Sequence, residues 1–230
     1  MVNYKVSVKN VMIEKYMFYK KQLVLSYKIQ YPQFSSAGFQ TAVSTMNKYY
    51  KEKALLFQQY CMQKLYPMAV EEFENSVSNN FPVRPFEALV IYKMTYNQDC
   101  TASLYFDQYL YTGGAHGNTV RYSDTWNLQN GRGIDIDEMF NNSINYKAYI
   151  IMTINNQIAE QIKNGENKYF DDYKKNVAQY LNLNSFYLTK KGIVLYFQQY
   201  EIAPYSSGIP EFTIPYLEGY VVRPECKEIR

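Results

Sequence analysis

The one histidine of the chain lies in a glycine-rich stretch, where the residue types best suited to chemistry come together. His116 is the only histidine among 230 residues and sits within Gly113-Gly114-Ala115-His116-Gly117. An imidazole titrates near neutral pH and can act as a general base, and flanking glycines let a substrate approach closely. A small hydrolase at His116 would use Asp124 or Asp107 to orient the imidazole and a nearby serine or cysteine as the nucleophile.

The rest of the sequence offers this hydrolase little support. The chain has no G-x-S-x-G nucleophile elbow, and the glycine stretch lacks the lysine and hydroxyl residue of a phosphate-binding loop. Neighbouring carboxylates such as Asp135 and Asp137 do not face each other across a cleft, as a glycosidase requires. The cysteines and carboxylates show no metal-ligand spacing. We therefore expect a non-enzyme without metal or cofactor, with His116 and Asp124 as the alternative catalytic candidates.

Composition indicates a globular chain that binds no nucleic acid. Hydrophobic residues make up 47% and charged residues 20% of the sequence, and the formal net charge is +3. Basic residues form no long run, so a surface that tracks phosphates is not expected. No stretch approaches the roughly 20 consecutive apolar residues of a membrane span, and the amino terminus lacks the apolar core of a signal. We therefore expect no membrane span and a cytoplasmic location as written, although a chain trimmed of its leader would look the same.

The cysteines argue against a disulfide framework. Cys61, Cys100 and Cys226 are odd in number and irregularly spaced, and no CxxC pair occurs. We interpret them as reduced thiols in a reducing compartment.

Hydrophobic periodicity predicts an α+β fold, with mainly antiparallel sheets packed against a few amphipathic helices and the two halves forming one compact unit. The predicted order of elements is β, α, α, β, β, β, α, α, β, β, β. The glycine stretch is predicted to link two neighbouring strands, and residues 88–96 and 102–111 are predicted to form a hairpin.

Several residues are predicted to set the boundaries of elements in the first half. Pro32 is expected to end a strand over residues 23–31. Ser35 and Ser36 are expected to cap a long helix, which Pro67 then kinks or divides.

Boundary residues are predicted in the second half as well. Asn142 and Ser143 are possible caps of a helix that ends near Gly165. Gly192 is expected to need a positive φ in a hairpin turn. The apolar stripe of this helix is predicted from its isoleucines, namely Ile151, Ile154, Ile158 and Ile162.

Two sequence blocks resemble a known bacterial domain. The first is Thr112–Asn118, followed by an alternating strand and the pair Met139-Phe140; the second is Tyr200–Tyr205, followed by Ile214-Pro215-Tyr216. In this order they resemble a two-part domain whose amino-terminal region is named after the peptidoglycan deacetylase PdaC. Its carboxy-terminal region is shared with the anti-sigma factor RsiV. The resemblance places these regions at residues 10–117 and 118–220.

The resemblance implies an accessory or sensor module of cell-surface proteins in Gram-positive bacteria, and a relative in anti-sigma factors binds lysozyme. We accordingly predict a non-enzymatic binding module that recognises a lysozyme-like protein or a peptidoglycan fragment through tyrosine-rich loops. A small hydrolase and a purely structural protein remain the alternatives. The predicted ligand-binding residues are Gly113, Gly114, His116, Asn118, Tyr200, Pro204 and Tyr205.

The high tyrosine content and the second block together suggest where a partner binds. The chain contains 26 tyrosines, which suit half-buried sheet faces as well as recognition surfaces. Pro204 is expected to stiffen the loop and present Tyr205. In the opposite interpretation, Tyr200 and Tyr205 pack inward and pin the loop to the sheet.

Overall fold

The computed structural model describes residues 4–166 and 168–227. Its strands form a five-stranded sheet in the order β1-β2-β3-β4-β5 and a three-stranded sheet in the order β6-β7-β8. The helices are grouped between runs of strands, which confirms the predicted α+β class. Among the described residues, no helix is long and apolar enough to cross a membrane.

The fold begins with a long antiparallel hairpin, of which the sequence predicted one strand. It consists of β1 (Ser7–Tyr19) and β2 (Gln22–Ser35). β1 was missed because it is an edge strand with both faces largely exposed, so charged residues interrupt its apolar alternation. The expectation that Pro32 ends the strand is wrong. Pro32 pairs with Asn10 and lies beyond the part of β2 that pairs with β3, where no ladder donor is needed on that side.

A nearly continuous helical run follows the hairpin. It consists of α1 (Gln40–Tyr60), a π-helical segment (Cys61–Leu65) and α2 (Tyr66–Ser78). Pro67 lies in the first turn of α2, where its missing N–H is tolerated, and the helical run shifts to π geometry just before it. The predicted division of the helix at Pro67 is thus seen as a π-helical segment between α1 and α2.

The predicted serine cap of α1 is wrong. Ser36 Oγ accepts a hydrogen bond from the Gly38 N–H at 3.2 Å, and α1 begins without a side-chain cap. The helix is fixed instead by Asn47, whose amide bonds both the N–H and the C=O of Phe34 at 2.7 and 2.9 Å. This contact attaches α1 to the end of β2.

Three strands continue the first sheet: β3 (Phe86–Gln98), β4 (Thr101–Tyr111) and β5 (Asn118–Asn127). A two-residue turn joins β3 to β4, with Asp99 and Cys100 both at positive φ, as a tight hairpin requires. The glycine stretch joins β4 to its neighbour β5. Both predicted links between strands are therefore confirmed.

Residues cluster into two compact units that alternate along the sequence. The amino-terminal unit comprises Val6–Tyr92 and Phe106–Val120. Within the described residues, the carboxy-terminal unit comprises residues 4–5, Lys93–Tyr105, 121–166 and 168–227. Since β3, β4 and β5 each contribute residues to both units, no single cut of the chain separates them. The predicted regions, 10–117 and 118–220, are by contrast continuous.

The carboxy-terminal unit contains the second sheet and the remaining helices. Its elements are a 3-10 helix (Ile136–Met139), α3 (Tyr146–Lys163), α4 (Tyr173–Tyr180), β6 (Phe186–Leu188), β7 (Gly192–Tyr196) and β8 (Glu211–Pro215). β7 pairs antiparallel with both β6 and β8. Ile193 and Leu195, which lie on one face of β7, belong to the same core cluster as the buried side of α3.

The cap and the buried stripe of α3 differ from the prediction. Asn145 caps the helix by accepting a hydrogen bond from the Ala148 N–H at 3.2 Å, so Asn142 and Ser143 are not the caps. Ile162 is 41% exposed, because the helix buries a stripe spaced every four residues that starts one residue earlier than predicted. That stripe consists of Ile150, Ile154 and Ile158.

Gly192 is required for close packing and not for a positive φ, contrary to the prediction. Its φ is not in the positive range, and it pairs with Pro215 where β7 begins. A Cβ atom at this position would lie 2.1 Å from the Ile214 carbonyl oxygen. Backbone atoms cannot move aside as a side chain can, so only glycine fits there.

The interpretation of all three cysteines as reduced thiols is wrong. Cys100 and Cys226 form a disulfide with a Cα–Cα distance of 5.1 Å, across a sequence separation of 126. So long a separation leaves no local spacing pattern for sequence reasoning to detect. Cys61 is the free cysteine, and burial raises the pKa of its thiol to about 12, which keeps it protonated and unreactive.

The disulfide predicts how many thiol groups react before and after reduction. Unfolded under non-reducing conditions, the protein should react with one equivalent of maleimide, and with three after reduction. Cys226→Ser should lower the free energy of unfolding by roughly 2–5 kcal/mol, because a long loop loses its cross-link. Three reactive thiols before reduction would show that the bond does not form.

Candidate functional site

The glycine turn belongs to the amino-terminal unit and is fixed by one carbonyl group. Gly113 and Gly114 both adopt positive φ, at 96° and 84°. The Gly114 carbonyl accepts hydrogen bonds from the Tyr111 hydroxyl at 3.2 Å and from Arg84 Nη1 at 3.0 Å. These glycines are therefore needed for the shape of the turn.

His116 is exposed on this turn and bonds to its own loop. Its Nδ1 lies 2.9 Å from the Gly117 carbonyl oxygen, so Nδ1–H donates in the tautomer that makes this bond. Gly117 is buried against Tyr109, since an added Cβ would lie 2.3 Å from Tyr109 Cε2. Asn118 is exposed where β5 begins. The turn thus presents His116 and Asn118 to solvent over a closely packed base.

Asp124, the predicted orienting carboxylate, lies on β5 in the carboxy-terminal unit, whereas His116 lies in the amino-terminal unit. Within its own unit, Asp124 acts on Tyr122. Burial, and then the negative charge of Asp124, raise the pKa of the Tyr122 hydroxyl above its usual range. The catalytic pairing of His116 with Asp124 stays a prediction.

The second predicted binding segment, residues 200–208, belongs entirely to the carboxy-terminal unit. Tyr200 adopts a φ of 69°, which is rare for a residue with a bulky side chain. Its side chain is 54% exposed, and its ring lies 5.9 Å from the Tyr205 ring at an interplanar angle of 33°. We call these two rings the tyrosine pair. Tyr205 is half-buried, so the ring presented to solvent is that of Tyr200 and not that of Tyr205.

Buried residues and hydrogen bonds anchor the segment behind the tyrosine pair. Ile202 and Ala203 are buried, and the Ile202 carbonyl accepts a hydrogen bond from the Phe170 N–H at 3.1 Å. Ser207 Oγ donates to the Lys168 carbonyl at 2.9 Å. Two hydrogen bonds therefore attach the loop to residues 168–170.

The predicted stiffening by Pro204 has a clear local basis. Pro204 is extended and leads into a one-turn 3-10 helix, Tyr205–Ser207. Gly208 then adopts a φ of 68°, which completes the reversal. Proline and glycine thus fix the two ends of the turn that carries Tyr205.

The chain just before this segment is held by the Gln198 side chain, which pairs with a peptide group as a residue of a neighbouring strand would. Gln198 Oε1 accepts from the Arg121 N–H at 2.9 Å, and Gln198 Nε2 donates to the Arg121 carbonyl at 2.7 Å. The Gln198 N–H in turn donates to Glu201 Oε2 at 2.7 Å. Both polar atoms of the Arg121 peptide are thereby satisfied at the edge of the first sheet.

Arg121 itself is buried in an aromatic cluster that the sequence did not reveal. Its guanidinium forms an ion pair with Glu211 on β8 and lies 3.8 Å from the centre of the Tyr105 ring. The Tyr196 ring is 5.8 Å away. Burial and then Glu211 raise the pKa of Tyr187, whose ring packs 5.1 Å from that of Tyr105. The only sequence signal was a charged residue between Val120 and Tyr122 in a predicted strand.

Metal ligands do not gather in the part of the chain that the structure describes. Residues 4–166 and 168–227 contain no group of three or more histidine, cysteine, aspartate or glutamate side chains placed to hold a metal ion.

Family comparisons agree with the two sequence blocks. Residues 19–119 match the family described as Deacetylase PdaC, and residues 137–217 match DUF3298, described as a protein of unknown function. The chain is a PdaC region followed by a DUF3298 region. The glycine turn lies in the PdaC region and the tyrosine pair in the DUF3298 region. No curated protein matches the chain.

Solved structures of DUF3298 proteins share the fold of this PdaC–DUF3298 chain. A family member from Bacteroides fragilis superposes with a TM-score of 0.73 at 17% identity, covering 96% of this chain and 96% of its own. A second, from Pseudomonas aeruginosa, gives 0.62 at 19% identity, covering 94% and 93%. Both structures therefore share the fold of the two regions taken together.

The carboxylate of Glu201, which accepts a hydrogen bond from the Gln198 N–H, predicts that the stability of the protein depends on pH. Burial raises the pKa of Glu201, opposed in part by the hydrogen bond from the Gln198 N–H. The folded state therefore binds this proton more tightly than the unfolded state, and stability is lost as the pH rises through the folded-state pKa. Glu201→Gln keeps an acceptor oxygen but removes the buried charge.

We expect Glu201→Gln to flatten the dependence of unfolding free energy on pH above about pH 4, and to be at least as stable as the parent at pH 7. Urea unfolding at several pH values measures this. A variant that is less stable at pH 7, with an unchanged pH profile, would contradict the account of Glu201.

Proposed function

We propose that this PdaC–DUF3298 chain is a non-catalytic recognition module that binds a protein partner through the tyrosine pair. One observation carries the proposal: an exposed tyrosine, Tyr200, is held at a φ of 69° beside a second ring. An L residue in this region costs roughly 1–2 kcal/mol. Such strain persists only where surrounding contacts impose it, and it occurs preferentially at functional positions.

The anchoring of the loop supports binding for an energetic reason. A partner that meets a mobile aromatic must order it, at about 0.5–1.5 kcal/mol for each immobilised side chain. Here the backbone is already fixed by Ile202, Ser207 and Gln198. Tyrosine is among the residues most enriched at interface positions that dominate affinity. The tyrosine pair therefore has the composition and the rigidity of a binding hot spot.

The disulfide bears on where such binding takes place. Disulfides between Cys residues such as Cys100 and Cys226 form and persist in oxidising compartments, and they are rare in the cytosol. We therefore propose an extracytoplasmic location in place of the expected cytoplasmic one. An extracellular protein such as lysozyme, which the family resemblance implies, is then the natural first partner to test.

Binding should depend on Tyr200 and not on exposed tyrosines in general. With lysozyme as the probe in surface plasmon resonance, Tyr200→Ala should weaken affinity at least tenfold, because a hot-spot side chain contributes about 2 kcal/mol or more. Tyr180→Ala is the matched control, since Tyr180 is 40% exposed on α4, and should stay within twofold of the parent. Tyr200→Gly should lose binding equally, while being more stable than Tyr200→Ala by about 1 kcal/mol, because glycine adopts positive φ freely.

Other outcomes decide against the proposal. Lysozyme that does not bind the parent excludes this partner, and affinity unchanged in Tyr200→Ala excludes this surface. Peptidoglycan fragments that bind the parent through Tyr200, with no protein bound, would make the loop a saccharide site. Hydrolysis of a generic ester, peptide or glycan that is lost in His116→Ala would replace recognition with catalysis.

A further inference from the structure

β1 is a long edge strand, and along most of its length the described chain does not cover its outer side. It is the first strand of its sheet and runs over 13 residues, Ser7–Tyr19. Strands in globular proteins usually have about five or six residues. β1 contains no proline, and the extra residue of the bulge in the hairpin, Val24, lies on β2. Two devices that commonly blunt an edge strand are therefore missing from β1.

Two contacts show which backbone groups of β1 point outward. Phe34 lies opposite Val8, and its N–H and C=O both bind the Asn47 amide, so they do not bind β1. Near the other end, the Phe18 carbonyl accepts a hydrogen bond from the Tyr66 hydroxyl at 2.9 Å, outside the hairpin. Bonded and non-bonded pairs alternate along an antiparallel ladder. The even-numbered residues of β1 therefore direct their N–H and C=O groups away from β2.

Most of these outward groups have no partner among the described residues. They belong to Val8, Asn10, Met12, Glu14 and Tyr16. Water satisfies such groups when nothing else does, and an extended peptide can replace the water with the hydrogen bonds of a sheet ladder. The outer side of β1 is thus a template for the addition of one more strand.

The charged side chains of β1 indicate what kind of strand this edge favours. Lys9 and Lys15 are exposed on one face, and six residues place them about 20 Å apart. Neither forms an ion pair with a described residue. Glu14, the one acidic residue of β1, lies on the other face and accepts a hydrogen bond from the Tyr16 hydroxyl at 2.9 Å. Opposite charges across a sheet attract, so the lysines favour acidic residues six positions apart on the added strand.

Apolar side chains lie near the charges on both faces of β1. Met12 and Tyr16 are 48% and 57% exposed on the face of Glu14. Val11 and Ile13 are half-buried on the other face, between the two lysines. Cross-strand pairs of aromatic, apolar and β-branched residues stabilise a sheet. The centre of the added strand is therefore expected to be apolar and β-branched.

The same lysines disfavour a second copy of this chain as the added strand. In the two-fold register that pairs the whole strand, centred on Ile13, Lys9 lies diagonally beside Lys15 of the other copy. In the register centred on Met12, these two lysines lie directly opposite each other. Registers centred on Glu14 or Lys15 place identical charges opposite each other, which is destabilising. Charge thus favours a foreign acidic strand over self-association.

We propose that the outer edge of β1 binds an extended acidic peptide segment of a protein partner by strand addition. This edge lies in the amino-terminal unit, whereas the tyrosine pair lies in the carboxy-terminal unit. The inference therefore does not depend on the proposed function of the tyrosine pair.

Two short peptides with blocked ends provide the test. The acidic peptide is Thr-Glu-Thr-Val-Val-Val-Thr-Glu-Thr, whose glutamates match the spacing of Lys9 and Lys15 in either strand direction. The basic peptide has lysine in place of both glutamates. The full chain is titrated with each peptide at low salt while its amide NMR signals are followed. We expect saturable binding of the acidic peptide with shifts centred on β1, about fivefold weaker binding of the basic peptide, and a smaller difference at high salt.

Variants of β1 separate the backbone contribution from the charge contribution. Met12→Pro removes an outward N–H without removing a bond to β2, and should weaken the acidic peptide about tenfold or more. Met12→Thr is the matched control and should stay within about twofold of the parent, because it keeps the N–H and a β-branched side chain. Combining Lys9→Glu with Lys15→Glu should reverse the preference, so that the basic peptide binds more tightly. Tyr200→Ala should bind both peptides as the parent does.

Several results would overturn the proposal. One is the absence of saturable binding by the parent at millimolar acidic peptide. Another is a preference that the two lysine reversals leave unchanged. Affinity retained by Met12→Pro, with the amide signals of β2 intact, would place the peptide elsewhere. A parent chain that sediments as a dimer, and as a monomer after Met12→Pro, would assign the edge to a second copy.

Discussion

The loop after β7 depends on one contact, the hydrogen-bonded pairing of the Gln198 side chain with the Arg121 peptide. β5 is the last strand of its sheet, so the Arg121 N–H and C=O would lack ladder partners on one side. Gln198 supplies an acceptor at 2.9 Å and a donor at 2.7 Å, as one residue of a neighbouring strand would. A strand could continue to pair and aggregate with another chain, whereas a single side chain ends the sheet. The same contact fixes where the loop after β7 begins.

Arg121 also fixes where that loop ends. Its guanidinium pairs with Glu211, the first residue of β8, and packs on the Tyr105 ring. Burying a guanidinium costs several kcal/mol, which the ion pair and the aromatic face offset. Because Gln198 and Glu211 flank the loop, one residue holds both of its ends. The positive φ of Tyr200 is sustained between these two anchors, and this is the physical link between the core and the exposed tyrosine pair.

Sequence reasoning found what is encoded locally. The helices, the glycine turn and most strands follow from spacing and turn residues, and the α+β class followed from their order. Edge strand β1 was missed because exposure on both faces leaves little alternation. Gly192 was recognised as a turn glycine, but its real constraint is the Ile214 carbonyl, far away in sequence.

Interactions between distant positions were beyond the sequence. Arg121 contacts Gln198 and Glu211 across 77 and 90 residues, and the disulfide spans 126. Such pairs follow from the complete fold and leave no periodic pattern. That the predicted loop binds a partner stays a prediction; Tyr205, which was expected to be presented by this loop, is half-buried, and the exposed ring is that of Tyr200.

The central claim is that Gln198 holds the loop rigid, and amide hydrogen exchange of Gln198→Ala tests it most directly. Gln59→Ala, an exposed glutamine on α1, serves as the matched control. The account predicts that the Arg121 amide, which loses its acceptor, exchanges about tenfold faster or more in Gln198→Ala, and that the amides of residue 198 and Gly208 exchange faster with it because the loop is released, while Ile158 in the core of α3 keeps its protection. Unchanged exchange throughout residues 198–208 in the folded variant would contradict it.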